Sequence, residues 1–496
     1  MPRNYLLSLS FANLVYLRAW ADLLPISSDE VVFRKTLPGF GLYFAIAFDV
    51  LALSLLTFFL IRLGPKLPRW LQRVLLIVAV AMVMFALHSV APRGFLHSGL
   101  FGYPVLGLFC AVVAGSAVAF PARTFRLAEM AASAASPCLA VTFLGSPLYL
   151  HFQAPLPPDP PLAQRLAGSP PVRVLWIIFD EWDQRLTFPD RAPGVRLPVL
   201  DNLADHSFTA THALAPEAGR VPVPQMATSD ALPFLLYGKP VVSSSSEDDG
   251  TTRLFFADGS TIFGAGESIF AQVRALGWNS AVAGWYLPYC RDFGAQLTDC
   301  YWDVRYDQRF SASQSVPGAA WDETRMLFET SMVSAFGPSL VLVRHAAEYQ
   351  TLLAAAERYA ADPSIGLAFV HFNIPHSPYF YNQKVGRFGH YGYSIDRYND
   401  SLQRVDQTIG EILSSLKTAG LDSKTAIILS SDHPERNLTE DPHVPFIVHL
   451  PGETEGVFAP QEFSTVMTAD LALAIARGNV KSLSDVENFL VPQQHR

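Results

Sequence analysis

The apolar run over residues 40–61 constrains this chain more than any other feature. It is nearly continuous, interrupted only by Asp49. At 1.5 Å per residue such a helix reaches across a hydrocarbon layer of about 30 Å. Residues 74–90, 99–120 and 130–150 repeat the pattern. Residues 5–24 are a weaker case, because Asn13, Arg18 and Asp22 are costly at a bilayer centre unless paired. That segment reads as a further span or as an interfacial helix. A cleaved signal peptide does not fit, since several spans follow it. The basic residues then set an orientation. Arg62, Lys66, Arg69 and Arg73 follow the second span, and Arg123 and Arg126 follow the fourth. The intervening loop has only Arg93, and Asp29 and Glu30 offset Arg34 and Lys35. Loops rich in Arg and Lys stay cytoplasmic. Five spans therefore put the N-terminus inside and everything after Leu150 outside.

Composition agrees with this division. The chain is 50% hydrophobic and 16% charged, with net charge −8, against a usual charged share of about 25%. This excludes a disordered chain, and no basic footprint for nucleic acid exists. Four cysteines in 496 residues exclude a disulfide-built scaffold. The reading is a transmembrane helical part over 1–152, a Pro-rich stiff linker over 153–171, an exported domain over 172–478 and a tail over 479–496. The serines 243–246 with Glu247, Asp248 and Asp249 read as a solvated loop.

Beyond the linker, apolar strands alternate with amphipathic helices. Residues 172–179 (VRVLWIIF), 280–284, 366–372 (GLAFVHF) and 425–429 (TAIIL) read as strands. Residues 197–204 and 268–276 read as helices, and 208–213 as an extended return. Tyr398, Leu402, Val405, Ile409, Ile412 and Leu416 recur along one face of a longer helix. The fold class is α/β, a mostly parallel sheet covered by helices on both faces, carried by a helical membrane anchor. In such a sheet ligands gather beyond the carboxyl ends of the strands. There stand Asp180, Glu181 and Asp183 after the first strand, His371, Asn373 and His376 after another, and Asp432 with His433 after a third. His443 follows shortly after, before the apolar run at 446–450. For His371 and Asp183 a structural role, such as a helix cap, stands beside the ligand role. Carboxylates gathered in one cleft repel each other unless a cation neutralises them. Carboxylate with imidazole suits zinc or manganese, and an all-oxygen set suits calcium or magnesium.

These segments resemble the alkaline phosphatase and sulfatase superfamily, especially its membrane-anchored branch of phosphoethanolamine transferases and lipoteichoic acid synthases. The resemblance rests on the strand into Asp180-Glu181, LPVLDNLADHSFTATHAL, HFNIPHSPY, TAIILSSDH and HVPFIVHLP, in this order. It implies a divalent metal on Asp180 or Glu181 with Asp432 and His433. It also implies contacts of His376 and His443 with the transferred phosphoryl or sulfuryl group, or with a second metal. The implied chemistry passes through a covalent intermediate on a metal-bound nucleophile.

The nucleophile is the departure. The family places a Thr, Ser or modifiable Cys about five residues before the proline that is here Pro224, and that count lands on Gly219. Thr211 and Thr228 are substitutes by a shift of register. No Cys-x-Pro-x-Arg occurs, which excludes a formylglycine sulfatase. Without a nucleophile, either metal-bound hydroxide attacks the ester or the domain keeps recognition alone. A transporter is the remaining class, and it leaves Asp432-His433 unexplained. Cys110 and Cys138 read as packing residues within spans. Cys290 and Cys300 read as a disulfide allowed by an oxidising compartment. The expectation is a bacterial inner-membrane hydrolase or transferase with a periplasmic or extracellular domain. Its substrate is a membrane lipid or envelope glycan, with no nucleic-acid partner.

Overall fold

The computed structural model describes residues 2–23, 31–37, 39–90, 103–247, 249–304, 315–330, 333–334 and 337–491. The expected span residues 24 and 99–102, the loop residues Asp29, Glu30 and Arg93, and Asp248 lie outside them. The chain forms two compact units. The first comprises Met1–Ser27, Thr36–Pro155 and Arg309–Leu340, and the second Ser28–Lys35, Leu156–Gln308 and Val341–Arg496.

In the first unit, helix Phe40–Leu63 continues through a 3-10 turn to Lys66, and among the described residues it is the one helix long and apolar enough to cross a bilayer. Phe44, Phe48, Leu55, Leu56 and Phe59 stand exposed along it, an apolar face of the kind lipid covers. Its buried side meets Ala12, Val15 and Trp20 from the N-terminal helices. Those helices, Pro2–Val15 and Leu17–Leu23, are broken at Tyr16, so the expected first span is not one continuous helix. The expected last span is also broken: helices Pro121–Ala134 and Cys138–Phe152 meet at a bend of 45°, and they qualify as a crossing only when taken together. Arg69–Val90 covers the expected third span and Tyr103–Ala119 most of the fourth. Cys138 is exposed instead of packed, a correction that follows from its place beside the break. Helix Val316–Met326, distant in sequence, joins this unit by laying Ala319 and Ala320 on Ala45.

The second unit is built on an eight-stranded sheet. Its strands are β1 (Arg173–Phe179), β2 (Phe208–Ala210), β3 (Asn279–Trp285), β4 (Asp299–Asp303), β5 (Ile365–Phe372), β6 (Thr425–Ser430), β7 (Phe446–His449) and β8 (Val457–Ala459), in the spatial order β8-β2-β7-β6-β1-β5-β3-β4. The strands β6, β1, β5, β3 and β4 run parallel, and β7 lies antiparallel between β6 and β2. The buried run of β1 explains its central place, since a parallel strand covered on both faces has no polar side. Val174, Trp176 and Ile178 pack on one face with Ile269 and Val273 of α1 (Ile269–Ala275) and Leu471 and Ile475 of α2 (Thr468–Ala476). On the other face Phe179 stacks on Phe372, and Tyr349 from helix Leu340–Ala361 closes over that pair. Each such fully buried side chain contributes about 1.5–3 kcal/mol.

Arg173 opens β1 with a buried guanidinium, donating to the carbonyls of Tyr359, Ala360, Asp362 and Ile365 and to Thr425 Oγ1. Two of those carbonyls end helix Leu340–Ala361, where a cation is favoured by the helix dipole. Three sequence expectations differ from what is found. The Pro-rich stretch is laid along the domain, with Ala163 N donating to Leu297 O and Leu166 N to Asn279 Oδ1. Ser243–Ser246 is an exposed strand of a small three-stranded sheet and not a loop, because its serines pair with residues of Thr252–Phe256. The segment after 478 is no tail: helix Leu483–Leu490 buries Leu483, Val486 and Leu490 in the main core.

Candidate metal centre and active site

Three strands deliver the site. β1 ends at Phe179 and hands over Asp180, β5 ends at Phe372 with His371 inside its last turn of pleat, and β6 ends one residue before Ser431, Asp432 and His433. Because β1 lies between β5 and β6 in register, Ile178 sits beside both His371 and Ser430. The parallel sheet thus brings these exits to one edge.

Asp180, Asp432 and His433 are fully buried, and one donor atom of each lies within 4.8 Å of the other two. His433 Nε2 is 3.4 Å from Asp432 Oδ2 and 3.8 Å from Asp180 Oδ1. Both of those carboxylate oxygens are buried with no hydrogen-bond donor among the described residues. His433 Nδ1 lies 3.0 Å from Pro434 O; a carbonyl can only accept, so Nδ1 carries the proton and Nε2 presents its lone pair to the acids. Burial would depress the His433 pKa, but the Asp432, Asp180 and Glu181 carboxylates outweigh it and raise it above the ordinary imidazole value. Burial likewise opposes the Asp180 charge, and the imidazoles of His376, His371 and His433 prevail, holding the acid below the ordinary carboxylate range. The cluster therefore draws positive charge, and unpaired carboxylate oxygens with an imidazole lone pair fit a divalent cation.

Of the three positions considered for the nucleophile, Thr228 reaches this cluster. It is the first residue of α3 (Thr228–Tyr237), is buried, and its Oγ1 donates to Asp180 Oδ2 at 3.2 Å and lies 3.3 Å from His433 Nε2. Gly219 is a correction: it sits in an exposed turn at φ +78° with no atom within 4 Å of where a side chain would begin. Thr228 lies after Pro224, beyond the 3-10 helix Val223–Gln225, so a count back from that proline runs away from the site. Thr211 is occupied elsewhere, with Oγ1 on His212 Nδ1 and Ala459 O.

Glu181 is adjacent to Asp180 yet has other partners: Arg436 Nε and Nη2 donate to its Oε1 and Ser377 N to its Oε2. His376 Nε2 lies 3.6 Å from Glu181 Oε1 and 3.4 Å from Arg436 Nη2, with the edge of Trp285 against its ring. His371 is buried between Tyr289 OH, 2.9 Å from Nδ1, and Asp180 Oδ2, 3.4 Å from Nε2. Asp183 takes the structural role: its Oδ1 caps the short helix Gln184–Thr187 by accepting from Leu186 N. His443 turns to Asp441 and Glu462, with the His212 ring edge-on at 5.1 Å. Cys290 and Cys300 form a disulfide.

Sequence reasoning missed Arg436, whose only signal is its place three residues after His433. It also missed Glu217, which accepts from Ala227 N at the start of α3 and whose carboxyl burial pushes up to about 7. Glu217, Ser229 and Asp230 line a cleft of about 210 Å³ along the flank of α3, with Arg220 and Phe234 in its wall.

A family model for type I phosphodiesterase / nucleotide pyrophosphatase matches residues 198–477. An endo-4-O-sulfatase of Bacteroides thetaiotaomicron is 36% identical over 74 residues, 12% of this chain and 15% of that protein, so the chain spans a small part of that relative. Among solved structures, an alkaline phosphatase superfamily protein from Vibrio parahaemolyticus is 13% identical, with 64% of this chain and 68% of that one covered at a TM-score of 0.40. The lipoteichoic acid synthase LtaP from Listeria monocytogenes is 12% identical, with 63% and 73% covered at 0.41. With the match spanning more than half of its residues, the chain belongs to the type I phosphodiesterase / nucleotide pyrophosphatase family, within the alkaline phosphatase superfamily.

Proposed function

We propose that this protein is a membrane-anchored, metal-dependent hydrolase or transferase that moves a phosphoryl-type group of an envelope lipid or glycan through a covalent adduct on Thr228. The observation that carries the reading is the Thr228 hydroxyl lying within 3.3 Å of both Asp180 and His433. Asp180, Asp432 and His433 would hold a divalent ion, and zinc or manganese suits two carboxylates with an imidazole. When bound, such an ion neutralises the acids, lowers the pKa of a hydroxyl beside it and polarises the ester. Thr228 Oγ1 would give its proton to Asp180 Oδ2, which it already contacts, and bond to phosphorus as the bond to the leaving oxygen breaks; that oxygen takes a proton from water, and Asp180 returns its own to solvent. A water or an acceptor hydroxyl attacks the adduct in turn and frees Thr228. The helix N-terminus at Thr228 favours the anionic group being transferred. His376 would face that group; His443 is turned to Asp441 and Glu462 instead.

The exposed apolar face of helix Phe40–Leu63 and the basic residues after it support an anchor with its cytoplasmic end at Arg62 to Arg73. The Cys290–Cys300 disulfide supports an exported second unit. The thiol state of that pair in intact cells tests the placement.

Metal analysis of the purified full-length chain tests the chemistry, with Asp432→Ala as control. One divalent ion per chain, lost with Asp432→Ala together with turnover of a generic phosphodiester, is the expected result. Turnover that persists in a chelator-stripped protein would refute it.

A further inference from the structure

Asp49 interrupts the apolar run of the anchor helix Phe40–Leu63, and its partner comes from far along the chain. Thr324 hydrogen-bonds the Asp49 carboxylate, and its Oγ1 lies 3.1 Å from Tyr16 OH. One turn earlier Ala319 and Ala320 pack on Ala45. One turn before that, Val316 Cγ2 lies 3.9 Å from where a Gly41 side chain would begin. Residues 316, 320 and 324 thus meet residues 41, 45 and 49 in turn, so helix Val316–Met326 runs alongside the anchor helix in the same direction. From 316 to 324 the two travel together for about 12 Å at 1.5 Å per residue. The small side chains at 41, 45, 319 and 320 let the backbones approach, as between helices in lipid.

The polarity of helix Val316–Met326 is the reverse of that of a water-facing helix. Apart from Ser315, which caps it, its exposed residues are apolar: Val316, Pro317 and Trp321, with Phe328 just beyond its end. Trp321 is 60% exposed. The charged residues turn inward. Glu323 is buried and Asp322 half-buried, and Arg325 pairs with Glu329 at 3.3 Å with both side chains largely covered. Charged groups of a helix in lipid face the protein interior, and Trp gathers where the bilayer meets water. The register sets Trp321 between the levels of Phe44 and Phe48, which stand exposed on the anchor helix.

We infer that residues 316–328 are a lipid-contacting element of the anchor, a helix that stands in the outer leaflet beside residues 41–49 with Trp321 and Phe328 against lipid. The inference rests on the reading of Phe40–Leu63 as a span whose cytoplasmic end is at Arg62 to Arg73. The segment belongs to residues 309–340, which join the first unit, while the chain directly before and after them belongs to the second. Part of the sequence beyond the linker therefore returns to the membrane. Hydropathy misses it because Asp322, Glu323, Thr324 and Arg325 stand in one turn, a polar run whose inward direction only the fold decides.

The test uses the full-length chain in vesicles of phosphatidylethanolamine and phosphatidylglycerol, with Cys110 and Cys138 replaced by alanine. A nitroxide is attached at one new cysteine at a time: Val316→Cys, Trp321→Cys, Phe48→Cys for the span and Ser245→Cys for a water-exposed surface. Collisions with oxygen, which favours lipid, are compared with those of a water-soluble nickel chelate. The oxygen-to-nickel ratio at Trp321→Cys should approach that at Phe48→Cys and exceed that at Ser245→Cys by about tenfold. The label at 321 should lie deeper than the one at 316 by about 7 Å, at 1.5 Å per residue. A ratio at 321 equal to that at 245, with Phe48→Cys reading as lipid, would overturn the inference and leave the span standing. Equal depths at 316 and 321 would overturn it too, since a helix lying flat on the surface gives that result. Phe48→Cys reading as water would sink the anchor reading and the inference with it. Should Trp321→Cys fail to fold, photolabelling of the unsubstituted chain by a phosphatidylcholine with a diazirine in its acyl chain decides. An adduct on the peptide holding Trp321 sustains the inference, and adducts on residues 40–63 with none on that peptide overturn it.

Discussion

Replacing Thr228 by valine removes the hydroxyl and keeps the side-chain volume. Two contacts vanish, at 3.2 Å to Asp180 Oδ2 and 3.3 Å to His433 Nε2. A hydrogen bond to a charged group is worth about 1.5–3 kcal/mol, and the acid keeps His371 at 3.4 Å as a neighbour. Folding stability should therefore fall by no more than about 3 kcal/mol, several degrees in Tm for a domain this large. Activity should fall far more. Removing the nucleophile of a serine protease costs about a million-fold in kcat. A loss here of at least about a thousand-fold corresponds to roughly 4 kcal/mol of barrier. That disparity between stability and barrier identifies a group that acts in the reaction. The assay is hydrolysis of bis(p-nitrophenyl) phosphate by the metal-loaded chain, with mass spectrometry of the Thr228 peptide after acid quench. Thr228→Ser should stay within about tenfold of the parent, since it keeps a hydroxyl at the same place. Gly219→Ala should lower stability modestly, because φ +78° strains a side chain, and leave kcat of the folded chain unchanged, because nothing lies within 4 Å of the added carbon. Thr228→Val within tenfold of the parent, or a serine variant as inactive as valine, would refute the assignment.

Asp183 yields a pH prediction. Burial raises its carboxyl to about 7, above an unfolded value of about 3.9. The stability it contributes is present below about pH 4 and is lost as pH rises through about 7. Asp183→Asn, an equally good cap, should therefore gain on the parent in urea midpoint between pH 5 and pH 8; a difference constant across that window would contradict the burial argument. Replacing Cys290 and Cys300 by serine opens a loop of sequence separation 10 and should cost about 3 kcal/mol by loop entropy. The pair should be found oxidised in intact cells, and alkylatable thiols there would contradict an exported domain.

Much of the fold was legible because burial writes itself into strands. The run VRVLWIIF has no polar side, and it forms the strand paired directly with β5 and β6 in the middle of the sheet. The Asp432-His433 pair was legible because it follows such a run directly. Choosing between Asp180 and Glu181 was not possible, since the choice depends on a left-handed φ at Glu181 that no propensity encodes. Thr228 was under-weighted for a related reason: the family spacing counts back from Pro224, whereas the hydroxyl that reaches the cluster follows that proline, past a 3-10 turn. The broken helices at Tyr16 and near Pro137 defeat hydropathy in the same way, because apolar content is continuous where the backbone is not. Arg436 depends wholly on tertiary approach to Glu181.

Ser431 connects the two halves of this chemistry. Its hydroxyl donates to Phe179 O at 2.7 Å and accepts from Trp182 N, across a sequence separation of 252 from Phe179. A nascent chain that has emerged only through α3 carries Asp180 and Thr228 without their counterparts, and so stays chemically silent. The site is complete only when β6 pairs with β1 and brings Asp432 and His433 to Asp180. On the reading proposed for this site, the chain is inert until its synthesis has passed His433.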